Sequence, residues 1–414
     1  MSDKTLIGPF RQLLTMDHLP ESGPVQDEQL QILQNAGMVV SGNTIVATGS
    51  FEQLRKEHRD APVQELEGHF CAMPGLIDAH THICWGGNRA ADFAMRIAGK
   101  SYLEIAESGG GIWSTVQHTR EASFEELYQN TRNHATTLLK EGVTTVEVKS
   151  GYGLNFDSEI KMLEVIQSIN MELAIDLVPT CLAAHIADKS FHGDQMAYLE
   201  WVVRELLPEV TQRSLSKRVD IFIEKSAFTH EAAHYYLARA REMGFEITAH
   251  VDQFTAGSSL VALDYHPLSV DHLEASTDRE IEAIAISDAV AMALPGASIG
   301  LGERFTPARK LLDKGACLAI ASDWNPGSAP QGDILMQASL LATYEHLSTA
   351  ETLSGITHRT AKALGLMDRG LLKAGCRADF IAFDTDDYRN ILYHQGKMKP
   401  VKIWKSGSEI HGEL

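Results

Sequence analysis

Two histidines, His80 and His82, are the residues of this chain whose types and spacing most directly suggest chemistry. They follow an apolar run that opens with Pro74 and Gly75, the pattern of a strand that leaves a turn. Side chains two residues apart on a strand point to the same side, so both imidazoles can face one point in space. Neutral imidazole is the commonest nitrogen ligand for a transition metal. For this pair alone, the alternative is two hydrogen-bonded core histidines.

Further polar residues follow the other candidate strands. A lone histidine on an apolar strand is usually structural, but several histidines and an aspartate at strand ends favour a metal site. The residues at these ends are Lys149, Tyr152, His185, His250, Asp252, Gln253, Asp271, His272, Asp323, Asn325, Gly327 and Ser328.

The first histidine pair and two of the residues at the other strand ends form a credible ligand set for one ion: His80, His82, His250 and Asp323. Three neutral nitrogens and one carboxylate suit a hard or borderline divalent cation and leave a position open for water. Such an ion makes hydroxide available near neutral pH. Asp323 could bind through one oxygen and hold the water's proton with the other. Taken alone, Asp323 could equally be a helix N-cap, an alternative that weakens once the three histidines are counted.

The elements that must position these residues are short apolar runs alternating with longer amphipathic stretches. Strands that alternate with helices in this way predict an α/β fold, a (β/α)₈ TIM-type barrel with its chemistry at the C-terminal ends of the strands. The helical patterns include Phe124–Glu141, Asp157–Ile169, His230–Met243 and Asp278–Ala285. The candidate strands are Leu76–Ile83, Thr144–Lys149, Ala174–Leu182, Val219–Glu224, Glu246–His250, Ser269–Leu273, Ala289–Leu294 and Cys317–Asp323.

The two ends of the chain differ from this central part. Residues 1–70 and 368–414 contain short β-like pieces separated by turns, and neither has enough apolar pattern to form a core alone. We therefore expect one small β-sandwich domain built from both termini beside the barrel of residues 71–367.

Composition narrows the class of protein. A formal charge of −19 argues against a nucleic-acid-binding surface, and an apolar share of 44% is ordinary for a globular protein. Residues 1–5 lack the pattern of a secretory signal, and no apolar run approaches the length of a membrane span. An odd number of scattered cysteines, five, indicates free thiols in a reducing compartment. We expect a cytoplasmic enzyme with no membrane partner.

The motifs together resemble the metal-dependent amidohydrolase superfamily and, more narrowly, its imidazolonepropionase family. The segments that carry the resemblance span most of the predicted barrel. They are residues 80–96 (HTHICWGGNRAADFAMR), 107–116 (ESGGGIWSTV), 144–154 (TTVEVKSGYGL), 183–185 (AAH), 269–274 (SVDHLE), 294–303 (LPGASIGLGE) and 322–328 (SDWNPGS).

The resemblance implies roles for individual residues. His80, His82, His250 and Asp323 match the metal ligands, which would hold one zinc or iron ion per chain. Arg89, Tyr152 and His185 match substrate-binding residues, and a guanidinium suits a carboxylate tail. Asn325, Gly327 and Ser328 match positions that contact substrate or product. Their turn could also offer backbone amides to an oxyanion. Tyr102 could join the pocket or pack as a helical core residue.

The activity implied is hydrolysis of the ring amide C–N bond of 4-imidazolone-5-propanoate to N-formimidoyl-L-glutamate, in histidine degradation. His272, whose ordinary pKa suits proton transfer near neutrality, is the candidate acid and base, although it could be a core histidine. The family frequently has Glu where this chain has Gln253. A glutamine amide can orient the ring or the water but cannot act as a base. Acid–base catalysis therefore falls to His272 and Asp323, the two candidate catalytic residues.

Three alternatives remain open at the level of sequence. Another enzyme of the superfamily, such as an aminohydrolase acting on a related ring, would share the metal ligands and differ in the pocket. A two-metal cyclic amidase would use Lys149 as a carboxylated bridge, where a surface or ion-paired lysine is the simpler interpretation. A non-catalytic barrel is disfavoured by the intact ligand set. A homodimer is expected by resemblance alone.

Overall fold

The computed structural model describes residues 4–100 and 102–410, without the side chains of residues 102, 103 and 106. Its strands fall into two sheets. In chain order they are β1 (Lys4–Leu14), β2 (Ile32–Ser41), β3 (Thr44–Ser50), β4 (Val63–Glu65), β5 (Phe70–Pro74), β6 (Leu76–Asp78), β7 (Val143–Lys149), β8 (Asp176–Ala184), β9 (Arg218–Ile221), β10 (Glu246–Val251), β11 (Ser269–His272), β12 (Val290–Ala293), β13 (Cys317–Ile320), β14 (Phe380–Asp384), β15 (Lys402–Lys405) and β16 (Ser408–Glu409).

Helices fill most of the intervals between these strands. A 3₁₀ helix covers Asp27–Gln29, and a π-helical turn covers Val202–Leu206. The α-helices are α1 (Phe51–Glu57), α2 (Ala90–Ile97), α3 (Tyr102–Glu107), α4 (Ile112–Glu121), α5 (Phe124–Lys140), α6 (Phe156–Glu172), α7 (Gln195–Trp201), α8 (Leu207–Gln212), α9 (His230–Glu242), α10 (Ser258–Leu263), α11 (Asp278–Ala285), α12 (Pro295–Leu301), α13 (Ala308–Asp313), α14 (Ile334–Glu345), α15 (Thr349–Gly355), α16 (His358–Ala363) and α17 (Arg389–Tyr393).

Strands β6 to β13 form the predicted barrel. They lie in consecutive order and pair in parallel throughout. Every residue of β7 is buried, as expected for a parallel strand that is covered on both faces. The two long helices α5 and α6 begin at capping residues. Ser123 and Glu126 form a capping box at the N-terminus of α5, and Asn155 caps α6. The (β/α)₈ fold is confirmed.

Backbone hydrogen bonds join the two ends of the barrel sheet just beyond β6 and β13. The amide of Asp323 donates to the carbonyl of His80 at 3.0 Å, and the amide of His82 donates to the carbonyl of Trp324 at 2.9 Å. The regular strand β6 is shorter than the predicted Leu76–Ile83, because from residue 79 onward the chain pairs only at isolated points. This closure places the first and last segments of the barrel side by side.

The remaining strands form the small β-sandwich built from both termini. Its sheet runs β16-β15-β14-β5-β1-β2-β3, with β4 paired to β1. The sheet includes Phe70–Pro74, so it extends past the predicted boundary at residue 70, and the division at 70 and 367 stays a prediction. Its core residues include Ile7, Phe10, Leu13, Met38, Phe70, Phe380 and Trp404.

Charged side chains fix the sandwich against the barrel. Asp176 at the start of β8 lies 2.8 Å from Lys405 Nζ and 3.4 Å from Arg377, both of which belong to the C-terminal part of the sheet. The amide of Gly75 donates to the carbonyl of Asp379 at 3.0 Å. Among residues 4–100 and 102–410, no helix has both the length and the apolar character needed to cross a membrane.

We expect Trp404→Ala to destabilise the β-sandwich by about 3–5 kcal/mol, because the indole is fully buried and stacks on Phe380 at 4.4 Å. Urea denaturation measures the change in the free energy of unfolding. Tyr393→Ala removes an aromatic ring that is 77% exposed and should change that free energy by less than about 0.5 kcal/mol. Equal stability of the two variants would show that the stacked aromatics do not hold this domain together.

Candidate active site

Three imidazoles and one carboxylate meet at the C-terminal end of the barrel. His80 and His82 follow β6, His250 lies in β10, and Asp323 follows β13. Asp323 Oδ1 lies 3.5 Å from His80 Nε2 and 3.4 Å from His82 Nε2, and His250 Nε2 lies 3.4 Å from His82 Nε2. All three histidines are buried. The closure of the barrel is what brings Asp323 to the histidine pair.

Two buried carboxylates determine which way the rings point. His80 Nδ1 donates to Asp271 Oδ2 at 2.7 Å, and His250 Nδ1 donates to Asp220 Oδ1 at 3.1 Å. A neutral imidazole carries one proton, so a proton on Nδ1 leaves Nε2 with its lone pair free. His80 Nε2 and His82 Nδ1 are buried without a hydrogen-bond partner among the described residues. Nε2 of His80 and Nε2 of His250 therefore point into the cluster as acceptors, 3.5 Å from Asp323 Oδ1 and 3.4 Å from His82 Nε2 respectively.

Burial keeps these imidazoles neutral. It lowers the pKa of His80 and of His82 well below the ordinary value, and it lowers the pKa of His250 to about 4. Burial also raises the pKa of the Asp323 carboxyl to about 7, an effect that the nearby His272 opposes. Three neutral imidazoles beside a carboxyl whose ionised form a cation would stabilise suit a divalent ion.

The spacing of the four donor atoms also fits a metal ion. Ligands about 2.1 Å from a tetrahedral ion lie about 3.4 Å from one another. Asp323 Oδ1 lies 3.5 Å from His80 Nε2 and 3.4 Å from His82 Nε2, and the Nε2 atoms of His82 and His250 are 3.4 Å apart. The three histidines offer ligand atoms that all lie within 4.8 Å of one another. The residues present thus fit one divalent ion.

His272 lies beside this cluster at the end of β11. Its ring centroid is 5.2 Å from that of His250 and 5.8 Å from that of His80. Burial lowers the pKa of His272, but the carboxylates of Glu274 and Asp323 outweigh burial, and the net shift is upward. His272 and Asp323 both have positive φ angles, 86° and 52°, a conformation that is uncommon for residues other than glycine.

A cavity of about 560 Å³ opens in front of the cluster. Its lining includes the seven residues assigned to substrate binding other than Tyr102, and His80 alone of the predicted metal ligands lies outside the lining. His185 stacks on His82 at 5.5 Å, and Tyr152 lies 5.8 Å from His82. The lining includes His82, Arg89, Arg96, Lys100, Tyr152, His185, Phe222, His250, Gln253, His272, Glu303, Asp323, Asn325, Gly327 and Ser328.

Arg89 is held against one wall of the cavity. Asp92 accepts from Arg89 Nε at 2.8 Å and from the amide of Gly111 at 2.8 Å, which leaves the terminal nitrogens of the guanidinium for a ligand. A Cβ at Gly327 would lie 2.6 Å from Arg89 Nη1. A side chain at position 327 would therefore displace the guanidinium from its place beside this turn.

The turn that contains Gly327 differs from one expectation. The amides of Gly327 and Ser328 both donate to Asn325 Oδ1 at 2.8 Å. These amides are satisfied within the turn, and their use as donors to an oxyanion stays a prediction. Asn325 Nδ2 also donates to the carbonyl of Asp323 at 2.6 Å, which fixes the backbone of the candidate ligand.

Buried carboxylates also hold the loops of two predicted substrate residues. Glu159 accepts from the amides of Gly151, Gly153 and Leu154 at 2.8–3.2 Å, and these residues flank Tyr152. Each of these bonds satisfies a backbone donor that would otherwise be buried alone. The tyrosine is therefore presented by a rigid loop.

Glu224 holds the loop that follows Gln253. It accepts from the amides of Phe254 and Thr255 at 3.1 and 3.0 Å. Gln253 itself lines the cavity. Tyr102, the other candidate pocket residue, has a side chain outside the part of the chain that the structure describes.

Sequence reasoning assigned no role to several residues that shape this site. Asp220 and Asp271 orient metal-ligand candidates, Glu274 lies 3.5 Å from His272 Nδ1, and Arg96 donates to the carbonyls of Gly300 and Gly327. Two of them could have been identified from the sequence. Asp271 directly precedes His272, and Arg96 lies seven positions after Arg89, on the same helical face.

Comparison with known proteins agrees with this geometry. Residues 71–410 match the model of the amidohydrolase family. The chain is 39% identical to an imidazolonepropionase of Deinococcus deserti over 409 residues, covering 99% of this chain and 100% of that relative. It is 36% identical to an imidazolonepropionase of Bacillus mycoides, covering 98% of this chain and 96% of that one.

Solved structures share the fold at low identity. An adenosine deaminase from Xanthomonas campestris with bound zinc has a TM-score of 0.71 at 18% identity, and covers 98% of this chain and 92% of that one. A triazine hydrolase from Arthrobacter aurescens has a TM-score of 0.74 at 17% identity, and covers 98% of this chain and 94% of that one. These likenesses show the barrel architecture, whereas the full-length relatives show the lineage: the chain belongs to the imidazolonepropionase family of amidohydrolases.

Proposed function

We propose that the protein hydrolyses the ring amide C–N bond of 4-imidazolone-5-propanoate and releases N-formimidoyl-L-glutamate. The observation that carries this proposal is the convergence of three neutral imidazole nitrogens and one carboxylate oxygen at a cavity that also presents Arg89. The full-length relatives are imidazolonepropionases, which supports the choice of substrate.

The proposed ion is held by His80, His82, His250 and Asp323, with one zinc or iron ion per chain. A donor set of nitrogen and oxygen accepts either metal. When bound, the ion supplies the Lewis acidity that makes water a nucleophile near neutral pH. The His80 and His250 rings are fixed for this task by Asp271 and Asp220.

Asp323 and His272 are proposed to move the protons. Asp323 offers two oxygens, and Oδ1 faces the histidines while Oδ2 lies 3.4 Å from Ser328 Oγ. The second oxygen can accept a proton from the attacking water. Hydroxide adds to the ring carbonyl carbon, the C–N bond breaks, and the ring nitrogen takes up a proton from His272. Glu274 lies near His272 Nδ1, which leaves Nε2 as the ring atom for this transfer.

Substrate positioning is proposed for the remaining cavity residues. Arg89, with Tyr152, would hold the propanoate carboxylate, because the terminal nitrogens of a guanidinium match a carboxylate. His185, beside His82, would hydrogen-bond a polar atom of the ring. Gln253 would orient the ring or the water without acting as a base.

Asn325, Gly327 and Ser328 would shape the wall that contacts substrate and product. The proposed partner is a small molecule with a carboxylate tail, without nucleic acid or membrane, in agreement with a formal charge of −19. Five cysteines, all buried and free, support a reducing compartment such as the cytoplasm. The family resemblance supports a homodimer.

Removal of the metal should abolish turnover of 4-imidazolone-5-propanoate, followed by the loss of imidazolone ring absorbance. Chelator-treated protein should regain activity when about one equivalent of zinc or iron is restored, because one ion completes the proposed ligand set. Full activity in protein verified by elemental analysis to be free of metal would contradict the proposed function.

Arg89→Ala should raise KM about 10-fold to 100-fold with a smaller change in kcat, because it removes a charge-assisted bond to the carboxylate tail. Steady-state kinetics measures both constants. Arg89→Lys keeps the charge but loses the fork, and we expect a KM between those of the wild type and the alanine variant. An unchanged KM in Arg89→Ala would show that the tail binds elsewhere.

His272→Ala should lower kcat by about 10²-fold to 10⁴-fold while KM stays within about threefold, since general acid–base catalysis contributes this much. Glu274→Gln retains the imidazole and should lower kcat far less. Metal content is measured in parallel so that loss of the ion is recognised. A His272→Ala enzyme with wild-type kcat would remove His272 from the mechanism.

A further inference from the structure

Lys149 is a buried lysine at the end of β7 that the mechanism above does not use. Its side chain is fully buried, and Nζ lies 2.8 Å from Glu147 Oε2 and 2.8 Å from Asp220 Oδ2. Asp271 Oδ2 lies 3.8 Å from the same nitrogen. A buried ammonium needs carboxylates to replace its lost hydration. Three buried carboxylates that surround one point in turn need a positive charge there to compensate their own.

Two of these carboxylates are the ones that hold the metal-ligand candidates. Asp220 accepts from His250 Nδ1, and Asp271 accepts from His80 Nδ1. Lys149 is thus one residue removed from two separate imidazoles. The third carboxylate, Glu147, accepts from the hydroxyl of Thr180 at 2.5 Å and contacts neither ring in the described structure.

Repulsion makes the lysine necessary for this arrangement. Asp220 and Asp271 both approach one ammonium inside the barrel, where little water can separate like charges. Without the cation, the repulsion between the two carboxylates would be uncompensated, and any shift or protonation of either one would alter the proton acceptor of a histidine ring. Thr248 adds a hydroxyl bond to Asp271 at 3.0 Å but no positive charge.

We propose that Lys149 is a positioning residue of the metal centre, whose ammonium fixes the carboxylates of Asp220 and Asp271 and through them the rings of His250 and His80. The inference rests on the proposed function, because it requires an ion at these histidines. It also replaces the two-metal alternative, since Nζ is already occupied by two carboxylates at 2.8 Å and has no room to become a bridging ligand.

Lys149→Met tests this role, because it removes the charge and keeps an unbranched side chain of similar length. Lys161→Met is the matched control: Lys161 Nζ donates to the carbonyls of Thr119, Arg120 and Ala122 and lies outside the proposed active site. Glu147→Gln is a second control, because the carboxylate of Glu147 also lies beside Lys149 but contacts no histidine ring.

The measurements are the zinc dissociation constant, from competition with a chromophoric chelator, and the visible absorption spectrum of the cobalt-substituted protein. Lys149→Met should weaken zinc binding about 10-fold to 100-fold, the usual cost of losing support behind a metal ligand. Its cobalt spectrum should shift, and kcat should fall with KM nearly unchanged. Lys161→Met should match the wild type, and Glu147→Gln should lie much closer to the wild type than to Lys149→Met.

A zinc dissociation constant within twofold of the wild type, together with a wild-type cobalt spectrum, would overturn the inference. If circular dichroism shows that Lys149→Met does not fold, Lys149→Gln, which keeps a donor without the charge, decides by the same criteria. A wild-type chain that binds neither zinc nor iron would instead overturn the proposed function. A wild type that binds zinc and turns over substrate, with unaffected Lys149 variants, would overturn this inference alone.

Discussion

The hydrogen bonds from His80 Nδ1 to Asp271 and from His250 Nδ1 to Asp220 are the interactions on which the site depends. A proton held on Nδ1 commits the lone pair of Nε2 to the centre of the barrel mouth. Burial keeps the rings neutral, so that these lone pairs remain available. The Lys149 ammonium lies 2.8 Å from Asp220 Oδ2 and 3.8 Å from Asp271 Oδ2 and places a positive charge behind both rings.

The barrel supplies the remaining requirement, which is to bring distant segments together. His82 and Asp323 are 241 positions apart (323 − 82), yet their side chains approach to 3.4 Å because backbone bonds join the chain after β6 to the chain after β13. His272 and Asp323 both have positive φ, a conformation that residues other than glycine adopt at a local cost in free energy. The terminal β-sandwich packs against this barrel, and none of its described residues lines the cavity.

The sequence predicted the barrel and the histidine cluster because both arise from local patterns. Alternating apolar strands and amphipathic helices are read within short windows, and His80 and His82 lie two positions apart. Asp220 and Lys149 could not be assigned in this way, since their partners are set by neighbouring strands and each residue alone is an ordinary charged side chain. The turn at Asn325 shows the same limit, because which acceptor the amides of Gly327 and Ser328 choose depends on a side-chain rotamer.

The most direct test is a crystal structure of the zinc-loaded protein with anomalous diffraction recorded on both sides of the zinc edge. We predict one zinc peak per chain, within about 2.0–2.2 Å of Nε2 of His80, His82 and His250 and of one carboxylate oxygen of Asp323. A zinc peak at other residues would contradict the proposed site. Zinc bound to Nδ1 of His80 or His250 would contradict the ring orientation that we attribute to Asp271 and Asp220.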